Sequence, residues 1–182
     1  MTKKHYKIIS IALLINLCLI FLIYKVWQTK TYYHFKPVVA HQVYRSGTLS
    51  ATGLKLVYQR THFKTDIIVR SQKEITKNED SWFTREKAFC QRHHIKLVII
   101  PLPQDIVPSK KEVSKLLALT TNKKDQPVLI HCAQGVIRTG MMVAAYRVKV
   151  LHENKAEVLA TLPMFGHNMT KHPEMKIFIS QL

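Results

Sequence analysis

The hydrophobic positions of this 182-residue chain form one long run near the amino end and several short runs after it. Residues 8–27 are apolar except for Ser10, Asn16 and Lys25. A helix of about 20 residues is ~30 Å long, which matches the hydrocarbon core of a bilayer. The long run therefore predicts one membrane-spanning helix.

The flanks of this run favour an uncleaved anchor over a cleaved signal peptide. The run is longer than the apolar part of a usual signal peptide, and residues 25–30, KVWQTK, offer no small-residue cleavage site. Lysines precede the run, and a first helix with a basic amino end usually keeps that end in the cytoplasm. We therefore expect lysines and a single-pass anchor over 1–27, a stalk over 28–40, and one extracytoplasmic domain over 41–182.

Beyond residue 41, short β-type runs alternate with helical patterns, which is typical of an α/β domain. The β-type runs are 43–45, 66–69, 97–100 and 128–131. The helical patterns cover 51–60, 82–93, 109–120, 140–151 and 154–166. The fourth of these helices is apolar on more than one face, so we expect it to be buried at the centre of the domain.

The charge balance limits the partners without choosing among them. Lys and Arg number 28 against 11 Asp and Glu, a formal net charge of +17. Such a surface favours nucleic acid, acidic lipid headgroups or phosphorylated molecules. The three cysteines have no C-x-x-C spacing and the ten histidines no repeated ligand spacing. We therefore expect no disulfide framework, no metal and no other cofactor.

The segment HCAQGVIRTG, residues 131–140, joins the last β-type run to the buried helical run. Successive backbone N–H groups in such a loop, together with the first turn of the following helix, form a site for an anion. Gly135 in its centre allows the positive φ that such a loop needs. The amides expected to bind the anion are those of Ala133, Gln134, Gly135, Val136 and Ile137.

Cys132 stands at the start of this loop, where a helix N-terminus and nearby cations can lower a thiol pKa to about 3.5–7.5. We expect a thiolate nucleophile there at neutral pH. Arg138 offers paired donors for two phosphate oxygens. Thr139 is expected to support the sulfur as a leaving group, and His131 to orient the loop. The segment thus indicates phosphoryl transfer through a cysteinyl-phosphate intermediate.

HCAQGVIRTG resembles the H-C-x2-G-x2-R-[S/T] signature of the cysteine-based protein tyrosine phosphatases. Three earlier segments follow the order seen in small microbial members of the dual-specificity branch: VYRSGTLS at 43–50, DIIVR at 66–70 and IIPLP at 99–103. The resemblance covers roughly residues 42–166. It implies phosphatase activity and an α/β fold with a central, mostly parallel sheet of four to five strands flanked by helices.

The resemblance also implies a general acid on a loop before the nucleophile, because alcohol leaving groups need a proton. Asp105 in PLPQDIVPS is the acidic residue at this place, 27 positions before Cys132 (132 − 105). Two interpretations of Asp105 stay open: the general acid, or a solvated turn residue between prolines. Glu112 is the alternative acid, but with Ser109 it forms a capping box that would occupy its carboxylate.

The loop lacks the lysines that members acting on phosphorylated inositol rings or lipids often carry there, which favours a phosphomonoester such as phosphotyrosine. Arg45, Arg70 and Lys73 are candidates for charge at the rim, although the two arginines are as readily structural. A phosphorylated protein is the expected partner. Two alternatives stay open: a phosphatase of phospholipid or phosphoinositide headgroups at the membrane surface, and a catalytically weak phospho-ligand binding module. Nucleic acid is disfavoured by the anchor and by the lack of an aromatic–basic stacking surface.

Overall fold

The computed structural model of the chain describes residues 3–76, 82–104, 106–168 and 170–182. Its first helix, α1 (Lys3–Thr31), includes Leu13–Thr31, an apolar stretch with a mean hydropathy of 1.4 that the rest of the chain leaves unburied up to Lys30. By length and composition alone, this helix near the amino end is able to cross a membrane.

A five-stranded sheet forms the centre of the remaining chain. Its strands are β1 (Lys36–Val39), β2 (Val43–Ser46), β3 (Thr65–Ile68), β4 (Lys96–Ile99) and β5 (Val128–His131). They lie in the order β1-β2-β5-β3-β4, and β1 alone among them is antiparallel to its neighbour. The predicted α/β fold with a mostly parallel sheet of four to five strands is confirmed.

Helices cover both faces of this sheet. In chain order they are α2 (Ala51–Thr61), α3 (Gln72–Thr76), α4 (Trp82–Arg92), α5 (Lys110–Thr121), α6 (Ile137–Lys149), α7 (Lys155–Thr161), a 3-10 helix (Leu162–Phe165) and α8 (Pro173–Ser180). Residues 138–146 of α6 are all buried, which confirms the expected central helix.

Strand β5 shows how the sheet separates two hydrophobic clusters. Val128 and Ile130 pack with residues of α5 and α6, whereas Leu129 packs with residues of α2 and α4. Successive side chains of a strand point to opposite faces, so His131 shares the α2/α4 face with Leu129. The polar side chain of His131 therefore lies under a helix and away from solvent.

Residues 28–40 differ from the stalk expected over this range. Helix α1 continues to Thr31, and β1 pairs with β2 as an edge strand. Thr31 is buried, and its carbonyl oxygen lies so close to Gly53 of α2 that a Cβ there would be 2.1 Å away. A four-residue strand with a proline gives too little alternation to be detected in the sequence.

Candidate active site

The carboxyl ends of three strands meet at the HCAQGVIRTG loop. Ser46 of β2 and Ile68 of β3 are both register partners of His131, the last residue of β5. The chain then passes through residues 132–136 and enters α6 at Ile137. In parallel α/β sheets ligands bind outside this edge. The motif therefore occupies the edge at which a binding site is expected.

Gly135 turns the loop and also contacts the sulfur. It has a φ of +73°, as predicted. A Cβ here would lie 2.3 Å from the carbonyl oxygen of Ser46, so a side chain is excluded sterically as well. The N–H of Gly135 donates to Sγ of Cys132 at 3.2 Å.

Cys132 is 2% exposed and sits among hydrogen-bond donors. Burial by itself would raise the pKa of its thiol, but the hydroxyl and N–H of Thr139, the Arg138 guanidinium and the Gly135 N–H lower that pKa overall. Thr139 Oγ1 is buried and has no hydrogen-bond partner among the described residues, so its hydroxyl is available to turn towards the sulfur. These surroundings are those of a reactive thiolate.

Arg138 lies in the first turn of α6 and is held by two other segments. Its Nη2 donates to Glu74 Oε1 at 3.1 Å, and its Nη1 donates to Glu74 Oε2 and, at 3.3 Å, to the carbonyl oxygen of Leu102. Although burial raises the pKa of Glu74, the Arg138 guanidinium and the N–H and hydroxyl of Ser71 bring it down to about 2. Glu74 is therefore a permanent carboxylate that fixes the guanidinium.

The donor count shows what Arg138 keeps for a substrate. A guanidinium has five N–H donors, and Glu74 and Leu102 take both on Nη1 and one on Nη2. The remaining donors, on Nε and Nη2, share one edge, which suits two oxygens of a phosphate. Burial lowers the pKa of Arg138, but Glu74 and the negative charge of Cys132 raise it overall, so the guanidinium lies close to the sulfur.

Each of the three segments that precede the loop in the motif order contacts it. Thr48 of VYRSGTLS donates from Oγ1 to the carbonyl of Cys132 and from its N–H to the carbonyl of Ala133, both at 3.0 Å. Val69 of DIIVR donates to the carbonyl of His131 at 2.8 Å. Leu102 of IIPLP accepts the bond from Arg138. The segments are therefore parts of one site.

Of the basic residues considered for the rim, both arginines have structural contacts. Arg45 is 1% exposed, donates from Nη2 to the carbonyl of Gly135 at 2.6 Å, and stacks on Phe165 at 4.0 Å. Burial lowers its pKa to about 10, at which it is still cationic at neutral pH. Arg70 stacks on Trp82 at 4.1 Å and pairs with Glu74. Lys73 is exposed on α3.

His131 contacts the loop on one side and two carboxylates on the other. Its Nδ1 lies 3.4 Å from the carbonyl oxygen of Cys132. Its Nε2 lies 3.4 Å from Asp66 Oδ1 and 3.3 Å from Glu86 Oε1. The three side chains form a buried cluster whose potential ligand atoms lie within 4.8 Å of one another. Sequence spacing did not indicate this cluster, because its members come from β3, α4 and β5.

His167 fixes the end of the loop. Its Nε2 lies 2.8 Å from the carbonyl oxygen of Val136 and its Nδ1 lies 2.6 Å from that of Leu162. Burial lowers the pKa of His167. The carboxy-terminal segment thereby supports the loop from outside the sheet, a contact that no sequence pattern indicated.

The loop opens into a cavity of about 60 Å³, lined by Gln104, Cys132, Ala133, Gln134, Ile137 and Arg138. The candidate acid Asp105 lies outside the described residues. Glu112 makes the predicted capping box, since its Oε2 accepts from the N–H of Ser109 at 2.7 Å. A larger cavity of about 560 Å³ between α2 and α4 includes no residue of the loop, so it is not the phosphate site.

Comparison with known proteins agrees with this geometry. Residues 28–176 match the model of a family described as a DSP-PTPase phosphatase fused to NAD+ kinase. The dual specificity protein phosphatase TpbA of Pseudomonas aeruginosa (strain UCBPP-PA14) is 28% identical over 124 residues, which are 68% of this chain and 51% of TpbA. The chain thus spans about half the length of the curated relatives it matches.

Solved structures show the same fold at low sequence identity. The catalytic core of Siw14 has a TM-score of 0.69 at 20% identity, covering 82% of this chain and 84% of that one. The crystal structure of P. aeruginosa TpbA has a TM-score of 0.64 at 21% identity, covering 82% of this chain and 84% of that one. Because the family model covers most of the chain, including the whole loop, this chain belongs to the DSP-PTPase phosphatase family.

Proposed function

We propose that this protein hydrolyses phosphomonoesters through a cysteinyl-phosphate intermediate. The Cys132 thiolate attacks phosphorus, and a sulfur–phosphorus bond forms as the bond to the alcohol oxygen breaks. Asp105 protonates the departing oxygen. Water then attacks the phosphocysteine and gives a proton to the deprotonated Asp105, which forms inorganic phosphate, while Cys132 leaves as a thiolate supported by Thr139. Arg138 and the amides of residues 133–137 stabilise the charge on the phosphoryl oxygens in both steps.

The observation that carries this proposal is the convergence of donors on one sulfur. The Gly135 N–H, the Thr139 hydroxyl and the Arg138 guanidinium all favour the anionic form of Cys132 and lower its pKa. A buried structural thiol needs none of these contacts. The free Nε/Nη2 edge of Arg138 is then available for a phosphate bound above the sulfur.

The substrate we propose is a phosphorylated protein, with phosphotyrosine as the first candidate. Among the described residues that line the small cavity above the sulfur, Arg138 is the one cation, which supports recognition of a single phosphoryl group. One related structure is a Cys→Ser variant of TpbA in complex with phosphotyrosine. A single-pass anchor formed by α1, with the phosphatase domain on the extracytoplasmic side, completes the proposal.

A turnover assay separates this function from the two alternatives. We expect the full chain in lipid nanodiscs to release phosphate from para-nitrophenyl phosphate and from phosphotyrosine peptides, and Cys132→Ser to abolish release while still binding the peptide. Preference for phosphoinositide vesicles over phosphopeptides would favour the headgroup phosphatase. Binding without turnover in the unmutated chain would contradict the enzymatic proposal.

The role of Asp105 has its own test. We expect Asp105→Asn to reduce turnover of alkyl phosphates by ~10²–10⁴-fold and to affect activated aryl esters less, because a good leaving group needs no proton. Asp125→Asn is the matched control, since Asp125 pairs with Lys96 away from the loop. Equal losses on both ester classes, or an unchanged pH–rate profile, would exclude Asp105 as the general acid.

A further inference from the structure

We infer that Asp66 and Glu86 are positioning residues for the nucleophile: together they keep His131 as an imidazolium beside Cys132, so that a buried cation lies on the strand side of the loop. The inference rests on the proposed function, because it concerns the ionisation of the same thiol. Neither carboxylate touches the cavity in which a phosphate would bind.

The protonation of His131 follows from its neighbours. The Nε2 atom faces carboxylate oxygens of Asp66 and Glu86 at 3.4 and 3.3 Å, and Nδ1 faces the carbonyl oxygen of Cys132 at 3.4 Å. Carboxylate and carbonyl oxygens accept hydrogen bonds, and a lone pair on nitrogen directed at them would be repelled. Nε2 makes no hydrogen bond of regular geometry among the described residues, but negative charge within 3.4 Å of it favours hydrogen on both ring nitrogens, which makes the ring a cation.

Because Asp66, Glu86 and His131 are buried, their net charge should be close to zero. Asp66 and His131 are 0% exposed and Glu86 is 4% exposed. Isolated charges at such depth are very unfavourable. One imidazolium and two carboxylates would leave a net charge of −1, so we assign one further proton to Glu86. Burial raises the pKa of Glu86, which agrees with this proton.

The other groups around the cluster do not replace the carboxylates. Cys90 of α4 donates from Sγ to Asp66 Oδ2 at 3.6 Å, and burial raises its pKa, so it stays a neutral thiol. Arg70 lowers the pKa of Glu86 through its charge, but it is paired with Glu74. The Trp82 ring meets His131 edge-on at 6.3 Å and carries no charge.

A comparison with His167 isolates the effect of the carboxylates. Both histidines are buried, and both face carbonyl oxygens. Burial and the nearby cation Arg45 lower the pKa of His167. Burial also acts to lower the pKa of His131, but Glu86, Asp66 and Cys132 raise it overall. Because such coupling is reciprocal, the imidazolium stabilises the Cys132 thiolate to the same extent.

Paired substitutions test the inference in the full chain in nanodiscs. Asp66→Asn and Glu86→Gln each leave one carboxylate beside His131, so either single variant should change the alkylation rate of Cys132 by iodoacetamide at pH 6 by less than about 3-fold. The double variant removes the counter-charge. We expect it to slow this alkylation about 10-fold at pH 6, which is a shift of roughly one pKa unit, and to have no effect above pH 10. Glu157→Gln, an exposed acid on α7, is the matched control.

The charge of His131 is measured separately by ¹⁵N NMR of the unmutated chain, which does not depend on the folding of any variant. We expect both ring nitrogens of His131 to show imidazolium shifts at pH 7.5, where an ordinary histidine with a pKa of ~6.5 is neutral. A neutral ring at this pH overturns the inference. So does one equivalent of divalent metal in the purified protein that is lost in Asp66→Asn, because a metal would then supply the charge.

These readouts also separate the inference from the proposed function. Alkylation and NMR need no turnover, so a protein that fails every phosphatase assay but shows both expected shifts would refute the catalytic proposal alone. A double variant that alkylates like the unmutated chain refutes the positioning role even if the enzyme is active.

Discussion

At the scale of single residues, the site depends on partners that are distant in the sequence. They occupy some of the N–H donors of Arg138 and affect the pKa of Cys132. Glu74 takes one edge of the guanidinium and leaves the other for substrate. Arg45 supports the loop by its bond to the carbonyl of Gly135. The orientation of a bound phosphate would therefore depend on which N–H donors of Arg138 are already occupied by Glu74, and not only on the charge of Arg138.

Replacing Glu74 by Gln tests this division of donors. The amide presents an NH₂ group to one guanidinium nitrogen and removes the negative charge, so Arg138 should lose its fixed orientation. We expect kcat/KM for para-nitrophenyl phosphate to fall about 10- to 100-fold, or ~1.4–2.8 kcal/mol. Because the Glu74 pKa is lowered to about 2, its pairing contributes above the unfolded pKa of ~4.3 and is lost as the pH falls towards 2, so the deficit should be constant from pH 5 to 8.

The control for this change is Glu157→Gln, which alters the net charge equally at an exposed position. An unchanged kcat/KM in Glu74→Gln, with both variants folded, would show that Arg138 keeps its orientation without the carboxylate.

Thr139 gives a second prediction at this scale, which concerns how the reactivity of Cys132 changes with pH. Thr139→Val removes a hydroxyl that lowers the Cys132 pKa, so the thiol pKa should rise. At pH 6 the variant should hold less thiolate and react with iodoacetamide about 10-fold more slowly, whereas above pH 10 the two rates should converge. Equal rates at pH 6 would mean that the hydroxyl does not act on the sulfur.

The site residues predicted from the sequence are those whose expected chemistry is local. Cys132, Gly135 and Arg138 lie within seven positions of one another, and the loop geometry follows from their order. Glu74 and Asp66 could not be assigned in this way, because their partners are 64 and 65 positions away (138 − 74 and 131 − 66). Only the sheet topology brings them together.

At the scale of elements, the strands with continuous β-branched runs and the helices with polar caps were predicted within a few residues. The capping box at Ser109 is the clearest case, since both of its hydrogen bonds are present at the start of α5. Elements β1, α3 and α8 were not predicted. Each has eight residues or fewer, which is too short for a clear hydrophobic periodicity. Elements of this length depend mainly on tertiary contacts, which cannot be predicted from the local sequence.

The N-terminal cap of α5 provides a prediction about stability in which catalysis should not change. Ser109→Ala removes the acceptor for the Glu112 N–H and should lower the free energy of unfolding by about 1 kcal/mol. Thermal or urea denaturation measures this, with Ser114→Ala in the exposed middle of α5 as the control. We expect kcat on aryl phosphates to stay unchanged. A loss of activity without a loss of stability would instead place the cap in the catalytic machinery.

At the scale of the whole molecule, the apolar helix, the strong positive charge and the phosphatase fold are separate features of one chain. The net charge of +17 suits a surface next to acidic lipid headgroups. The net charge does not indicate on which side of a membrane the domain lies. The orientation of α1 depends on lysines that flank both of its ends.

Protease protection tests the proposed orientation. In intact spheroplasts we expect trypsin to degrade the phosphatase domain, because the domain lies outside the cytoplasmic membrane in our proposal. A cytoplasmic marker protein should survive in the same sample, which shows that the membrane is sealed. Protection of the domain until detergent is added would reverse the assignment.

The packing of Thr31 against Gly53 has a mechanical consequence. Four residues, 32–35, separate the end of α1 from the first strand, and Thr31 of α1 packs against α2, so little free chain is available for the helix to turn against the catalytic unit. If α1 spans a bilayer as we propose, the phosphate-binding opening should vary little in height and tilt above the lipid. The active site would then reach only phosphoryl groups that lie at one distance from the membrane. A few glycines inserted after Thr31 would let it reach groups at other distances.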